Sequence, residues 1–281
     1  MQATPELRSL LGRAFPGCRI VECRALGGGV SAQAVVADLV LEDATTRRVV
    51  VRRPVLATRE ETLRALSREH ELLARLGSLG IPAPRPCFLD VPAAALVLDS
   101  IEGELAFERT DIANRLEQMA SQLARIHRLT AGDALGFLRH RNESAGRQVL
   151  QPPERLDESL GEPRLLSVLA VPSPVRRGNA ETRLYPHFCA GDPTWRSGQL
   201  VAVLDWEEAE LGDPLADLAV SRLDLLWAFG EEAMHVFTEC YRAQTRIDWR
   251  NLARWDLCVA LRPMSNLAQW ARVYAQPPID R

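Results

Sequence analysis

The chain contains no lysine: all 34 of its basic residues are arginine. Mechanisms that need a lysine amine are excluded, both Schiff-base chemistry and the lysine of a P-loop. Drift toward arginine codons accounts for this across the chain. Locally, it means that a phosphate contact must be made by a planar fork rather than by a point charge. Cys-x-x-Cys pairs are missing as well. Cys18, Cys23, Cys87, Cys189, Cys240 and Cys258 are scattered, which fits reduced thiols better than a disulfide framework or a zinc site. No apolar run is long enough to span a bilayer. Met1-Gln2-Ala3-Thr4-Pro5-Glu6 has neither the basic leader nor the apolar stretch of a signal peptide, so a cytoplasmic protein with no membrane partner is expected. Nor is there a basic surplus: a formal net charge of -3 argues against nucleic acid as the main partner. A small molecule is the expected partner, with oligomeric state left open.

What is present is enough apolar material for a sizeable core, 47% of 281 residues. Residues 17–55 carry β-branched runs broken by turn residues, which predicts antiparallel strands and hairpins, with a polar turn at 42–46. A helix is expected over 59–79, where Leu63, Leu66, Leu73 and Leu76 fall at helical spacing. Pro82, Pro84 and Pro86 enforce an extended passage into a short strand, Ala95-Leu96-Val97-Leu98. The first hundred residues thus read as strands plus one helix. From Asp111 the pattern turns helical, Ile112, Leu116, Met119, Leu123 and Ile126 forming one stripe. Residues 130–184 are rich in proline and glycine and leave room only for short helices, as a mobile segment or a binding element. Further helices are expected over 218–229, 231–242 and 248–274, the last interrupted near Pro263. The expected organisation is a β-rich unit, 1–98, followed by a mainly helical one, 99–281, with no internal repeat.

Candidate chemistry concentrates at Leu204-Asp205-Trp206-Glu207-Glu208, followed by Gly212-Asp213-Pro214 and Asp217-Leu218-Ala219. An acid that ends an apolar strand puts a carboxylate at the strand mouth, a plausible cation site. Upstream, Gly27, Gly28 and Gly29 with Ser31 form a side-chain-free turn, either a plain hairpin or a backbone cradle for phosphate. Arg52 projects from the end of Val49-Val50-Val51, and Glu69 lies on the following helix. The two are either a surface ion pair or a cation held in register for phosphate by its acid.

In this order the features resemble those of the aminoglycoside phosphotransferase family, also called choline/aminoglycoside-kinase-like, over roughly residues 20–275. The most specific part runs from Trp195 to Glu207 and on through Gly212-Asp213-Pro214. The resemblance implies an α+β, protein-kinase-like two-lobe fold: a small antiparallel β lobe with one helix, which binds nucleotide, and a larger mainly helical lobe. It implies transfer of the γ-phosphate of ATP to a hydroxyl of a small molecule, with Mg2+ as cofactor. Asp205 carries over as a magnesium ligand, Arg52 as the phosphate contact and Glu69 as its orienting acid. Residues 96–102 become the hinge that holds the adenine, Leu98 and Ile101 among them, and the turn with Gly27, Gly28, Gly29 and Ser31 faces the phosphates. Asp213 and Asp217 shape the loop and helix that follow, and His127 is a packing residue.

The catalytic loop departs from the family's His-Gly-Asp, four residues, then Asn. Counting back from Asp205 puts Tyr185-Pro186-His187 in place of His-Gly-Asp and Asp192 in place of Asn. An Asp there keeps an oxygen ligand for the metal, so Asp192 joins Asp205 as a metal candidate. His187 for Asp exchanges a fixed charge for an imidazole that can still accept a proton near neutral pH. Three readings follow: an active phosphotransferase with His187 or a shifted Asp192 as base, a nucleotide-binding pseudokinase, or a folded relic serving as a scaffold. The acceptor pocket is expected from 130–184 and the last helices with Trp249, Trp255 and Trp270. Glu154, Asp157, Glu158 and Asp256 are either acids for a cationic acceptor or solvated surface acids.

Overall fold

A computed structural model describes residues 2–26, 32–104, 111–129, 135–140, 156–158, 161–170, 179, 182–184, 188 and 192–261. The chain opens with a helix, α1 (Pro5–Ala14), that the sequence reading did not anticipate. Its start signals are nevertheless present. The Thr4 hydroxyl accepts the Leu7 N–H at 3.2 Å, Pro5 stands at the first helical positions and Glu6 lies in the first turn. The expectation of one helix in the first hundred residues is therefore corrected to two.

Five antiparallel strands follow: β1 (Arg19–Leu26), β2 (Ala32–Val40), β3 (Thr46–Pro54), β4 (Pro86–Asp90) and β5 (Ala95–Asp99), in the order β1-β2-β3-β5-β4. β4 was expected only as an extended passage. Its proline sits at the first position of an edge strand, where no ladder hydrogen bond is lost. Side chains alternate between the faces of this sheet. Val49, Val51 and Val97 are buried on one face with Leu7, Leu10 and Leu11 of α1. Leu96 and Leu98 turn to the other, toward α2 (Arg59–Ser78) and the rest of the molecule.

Helix α2 starts at a reciprocal cap. The Glu61 N–H donates to the Thr58 hydroxyl and the Thr58 N–H to the Glu61 carboxylate, each at 3.2 Å. Its buried stripe, Leu66, Leu72, Leu73 and Leu76, includes one charged residue, Glu69. The helix thus presents an acid to the interior on the face that its leucines bury.

The second part is mainly helical, as expected. It holds α3 (Ile112–Arg128), α4 (Glu162–Ala170), α5 (Pro214–Phe229), α6 (Glu231–Gln244) and α7 (Leu252–Ala260). Leu116, Met119, Leu123 and Ile126 are buried on α3 as the stripe predicted. Helix α5 begins at Pro214 rather than at 218, because Asp213 caps it by accepting the Leu215 N–H at 3.0 Å. The helix expected over 248–274 starts later, at Leu252, and residues beyond 261 lie outside the described ones. Short strands complete the fold: β6 (Arg139–His140), β7 (Thr182–Leu184) and β10 (Glu210–Gly212) in a small sheet, and the hairpin of β8 (Pro193–Arg196) with β9 (Gln199–Val203). One continuous core joins the inner face of the large sheet, α2, α3, the hairpin residues Trp195 and Val203, α5 and α6. Among the described residues no helix is long and apolar enough to cross a membrane.

Candidate functional site

A cleft of about 510 Å³ opens between the inner face of the five-stranded sheet and the β8–β9 hairpin. Its lining includes the apolar residues Ala34, Val36, Val50, Leu98, Ile101, Leu204 and Trp206, with the charged Arg24, Arg48, Asp99 and Glu102 beside them. The predicted hinge residues Leu98 and Ile101 therefore both line it. Backbone bonds fix the segment after β5. The Ser100 N–H donates to the Arg48 carbonyl at 3.1 Å, and an antiparallel bridge joins Glu104 to Trp195 through bonds of 2.7 and 2.8 Å. Gly103 makes this approach possible. A Cβ there would lie 2.4 Å from Thr194 Cγ2 and 2.6 Å from the Trp195 carbonyl oxygen.

Arg52, Glu69 and Asp205 line the cleft as well. Arg52 projects from β3 on the same face as Val50, and only 8% of it is exposed. Its Nη1 lies 2.5 Å from Glu69 Oε2, the pair that the sequence suggested. Its Nη2 lies 2.6 Å from Glu207 Oε1, a partner that the sequence reading missed. Glu207 sits in the 3₁₀ turn Trp206–Glu208 just after Asp205. The acids of this stretch were visible in the sequence, but their reach to β3 was not. Burial pushes the Glu69 carboxyl up to about 7, and the neighbouring Glu207 and Asp205 add to that rise against the pull of Arg52.

Asp205 lines the cleft in a left-handed conformation, φ 61° and ψ 54°. Few residues other than glycine adopt it, and Asp is among those that do so most readily. Trp206 anchors the turn from below, its indole N–H donating to the Val203 carbonyl at 2.8 Å. Asp192 is buried at the end of the hairpin, where its carbonyl accepts the Leu204 N–H at 3.1 Å. The two metal candidates thus flank the open end of one hairpin, one at each strand. Among the described residues no three His, Cys, Asp or Glu side chains form a ready cation cage. Asp205 is among the residues that line the cleft and Asp192 is not; Mg2+ on a nucleotide takes one or two carboxylates completed by phosphate oxygens.

Gly27, Gly28, Gly29, Ser31 and His187 lie outside the described residues, as do Glu154 and Trp270. The residue after His187 is described: Phe188 is fully buried, and its carbonyl accepts the Ser221 hydroxyl of α5 at 2.7 Å. Beneath it runs a buried polar chain. His127 Nε2 lies 3.1 Å from Asp217 Oδ2, and Nδ1 lies 2.7 Å from the Tyr241 hydroxyl. Burial, with Asp217 beside it, pushes the Tyr241 phenol well above its usual range. His127, Asp213 and Asp217 all serve packing and capping, as read from the sequence. Of the candidate acceptor acids, Asp256 is engaged by Arg222 at 3.0 and 3.1 Å, while Asp157 and Glu158 are exposed.

Comparison with known proteins follows the same lines. A family model described as "Phosphotransferase enzyme family" matches residues 22–255. Among curated proteins, no match is found by sequence. Among solved structures, a macrolide 2'-phosphotransferase type I is 18% identical over 98% of this chain and 95% of its own, with a TM-score of 0.69. The apoenzyme of macrolide 2'-phosphotransferase MphH from Brachybacterium faecium is 18% identical over 97% and 94%, with a TM-score of 0.70. The streptomycin-ATP-APH(2")-IIa ternary complex is 16% identical over 91% and 88%, with a TM-score of 0.61. These likenesses extend over nearly whole chains and share the protein-kinase-like fold. With its motif order, its cleft and a family match spanning most of its length, the chain belongs to the phosphotransferase enzyme family.

Proposed function

We propose that this small-molecule phosphotransferase uses ATP with Mg2+ and passes the γ-phosphate to a hydroxyl group of its acceptor in the cytoplasm. Residues 1–98 form the nucleotide lobe, and residues 99–281 carry the metal acids and the acceptor pocket. One observation carries the reading: a single cleft is lined both by apolar residues, Val36, Val50 and Leu98 among them, and by Arg52 and Asp205. A purine is flat and apolar on its faces, and a triphosphate is anionic, so the two kinds of lining match the two parts of one molecule. The streptomycin-ATP complex among the similar structures supports the same ligand.

Charge supports the metal. Arg52 is engaged by both Glu69 and Glu207, and Asp205 lines the same cleft, so acids outnumber the guanidinium around Arg52 before any phosphate enters. A triphosphate would be repelled there without cations. Bound through Asp192 and Asp205, Mg2+ would supply the charge neutralisation on which phosphoryl transfer chiefly depends. Arg52, oriented by Glu69, holds the phosphates in place. Leu98 and Ile101 hold the base, and the turn with Gly27, Gly28, Gly29 and Ser31 covers the phosphates. During transfer the acceptor oxygen bonds to the γ-phosphorus while the bond to the β–γ bridging oxygen breaks and ADP leaves. The hydroxyl proton passes to His187 or Asp192.

A second reading, nucleotide binding with impaired turnover, is favoured by Pro186 and His187 standing where the family has Gly and Asp. One set of measurements separates the two. Mg-ATP at about 100 times its dissociation constant should stabilise the protein by about 2.7 kcal/mol, and Asp205→Ala should lose that stabilisation. Unchanged stabilisation in the variant would sink the metal assignment. Phosphate transfer to a panel of macrolides, aminoglycosides and amino alcohols, with ATP and GTP as donors, marks the active enzyme. Binding without transfer to any of them marks the pseudokinase.

A further inference from the structure

Each terminal nitrogen of Arg52 is met by a different carboxylate, and the two carboxylates are held differently. Glu69 belongs to a 20-residue helix with a reciprocal cap, and its side chain is 5% exposed. Glu207 belongs to a three-residue turn, and its side chain is 21% exposed. Helix α2 and the large core fix the first contact. The second comes from a three-residue turn that begins after Asp205 and is anchored in the same core by Trp206, with Glu207 itself on the more exposed side.

A phosphate approaching Arg52 therefore meets a guanidinium already engaged by two acids, with Asp205 lining the same cleft. We propose that Glu207 is a positioning residue for Arg52: it holds the guanidinium in line with the cleft while no nucleotide is bound, then yields to the phosphates. The proposal rests on the nucleotide reading above. Its consequence is a dependence built into the chain. While Glu207 carries its charge on Arg52, metal-free nucleotide is disfavoured, and the nucleotide binds tightly only with a divalent cation to offset the acids. Glu69 cannot play this part, since its side chain is buried on the leucine stripe of α2 and has no room to withdraw.

The test compares nucleotide binding by calorimetry in EDTA and in Mg2+, using ATP as the probe, for the full-length wild type, Glu207→Gln and Glu207→Asp. Glu207→Gln keeps the shape and removes one charge beside the phosphates. Metal-free ATP should then bind about tenfold more tightly, the factor that corresponds to about 1.4 kcal/mol, and the gain on adding Mg2+ should shrink by the same factor. Glu207→Asp keeps the charge on a shorter arm and should retain most of the wild-type dependence on Mg2+. In an Arg52→Gln background the effect of Glu207→Gln should be reduced to the direct repulsion between that carboxylate and the phosphates. Metal-free affinity that is unchanged or lower in Glu207→Gln, with wild type binding Mg-ATP normally, overturns this inference alone. If the wild type does not bind Mg-ATP, the nucleotide reading falls and this inference falls with it. If Glu207→Gln does not fold, the Glu207→Asp protein decides: a loss of the Mg2+ dependence there overturns the inference.

Discussion

Substituting Gly103 by alanine tests the closest approach in the cleft. The added methyl carbon would stand 2.4 Å from Thr194 Cγ2 and 2.6 Å from the Trp195 carbonyl oxygen, where van der Waals contact needs about an ångström more. One of these atoms is backbone and Thr194 is buried, so neither gives way easily. Relief must come from moving the 100–104 segment away from the β8–β9 hairpin. That motion strains or breaks the two bonds of the Glu104–Trp195 bridge. Overpacking of this kind costs about 1–3 kcal/mol and each backbone bond about 1 kcal/mol, so a loss of about 3 kcal/mol is expected. In a chain of this size that lowers the melting temperature by roughly 6–12 °C. Circular dichroism melts of wild type and Gly103→Ala measure it. Because the same segment lines the cleft, stabilisation by Mg-ATP should fall as well. A melting temperature within about 1 °C of wild type would show that the hinge and hairpin do not approach as closely as described.

Two further predictions concern buried ionisable and polar groups. Glu69 is pushed up to about 7 from its ordinary 4.5, so between these values the folded protein keeps a proton that the unfolded chain releases, and stability falls as pH rises through that window. The contribution approaches about 3 kcal/mol above pH 7. Urea unfolding at several pH values should show this slope in wild type and a flatter one in Glu69→Gln, and parallel slopes would contradict it. Tyr241→Phe removes the hydroxyl 2.7 Å from His127 Nδ1 and leaves that buried nitrogen without its partner. The expected loss is about 2 kcal/mol, read from the urea midpoint, and a change below about 0.5 kcal/mol would mean that water or a rearranged ring replaces the bond.

What the sequence disclosed depended on whether the signal was local. Asp205 was legible because Val201-Ala202-Val203-Leu204 is an apolar run that ends on an acid, and a strand end is local. Glu69 was legible because leucine spacing on α2 marks the buried face and an acid falls on it. α1 was equally local, with Thr4, Pro5 and Glu6 as its start, yet its apolar stripe is only Leu7, Leu10 and Leu11, too short to stand out beside the β-branched runs that follow. β4 was obscured by Pro86, which reads as a strand breaker until its edge position is known. Glu207 and Gly103 carry no local signal for what they do. Glu207 finds Arg52, and Gly103 finds Trp195, only after the sheet and the hairpin have come together.

The missing lysine takes its meaning from this geometry. A lysine at position 52 would bring one nitrogen to one point, and the acid from α2 and the acid from the turn after Asp205 would compete for it. A guanidinium has two terminal nitrogens on a rigid plane, so it can join both acids at once. Arg52 thereby connects three elements from separate parts of the sequence: β3, α2 and the turn that presents Asp205. The arrangement costs positive charge, since one cation is divided between two anions. A phosphate-binding cleft so constructed needs a second source of positive charge. The carboxylates that consume the guanidinium's charge, and Asp205 beside them, are also the groups that would draw a divalent cation in. On the proposed reading, arginine at this position would move the burden of binding phosphate from the protein's own cation toward the metal.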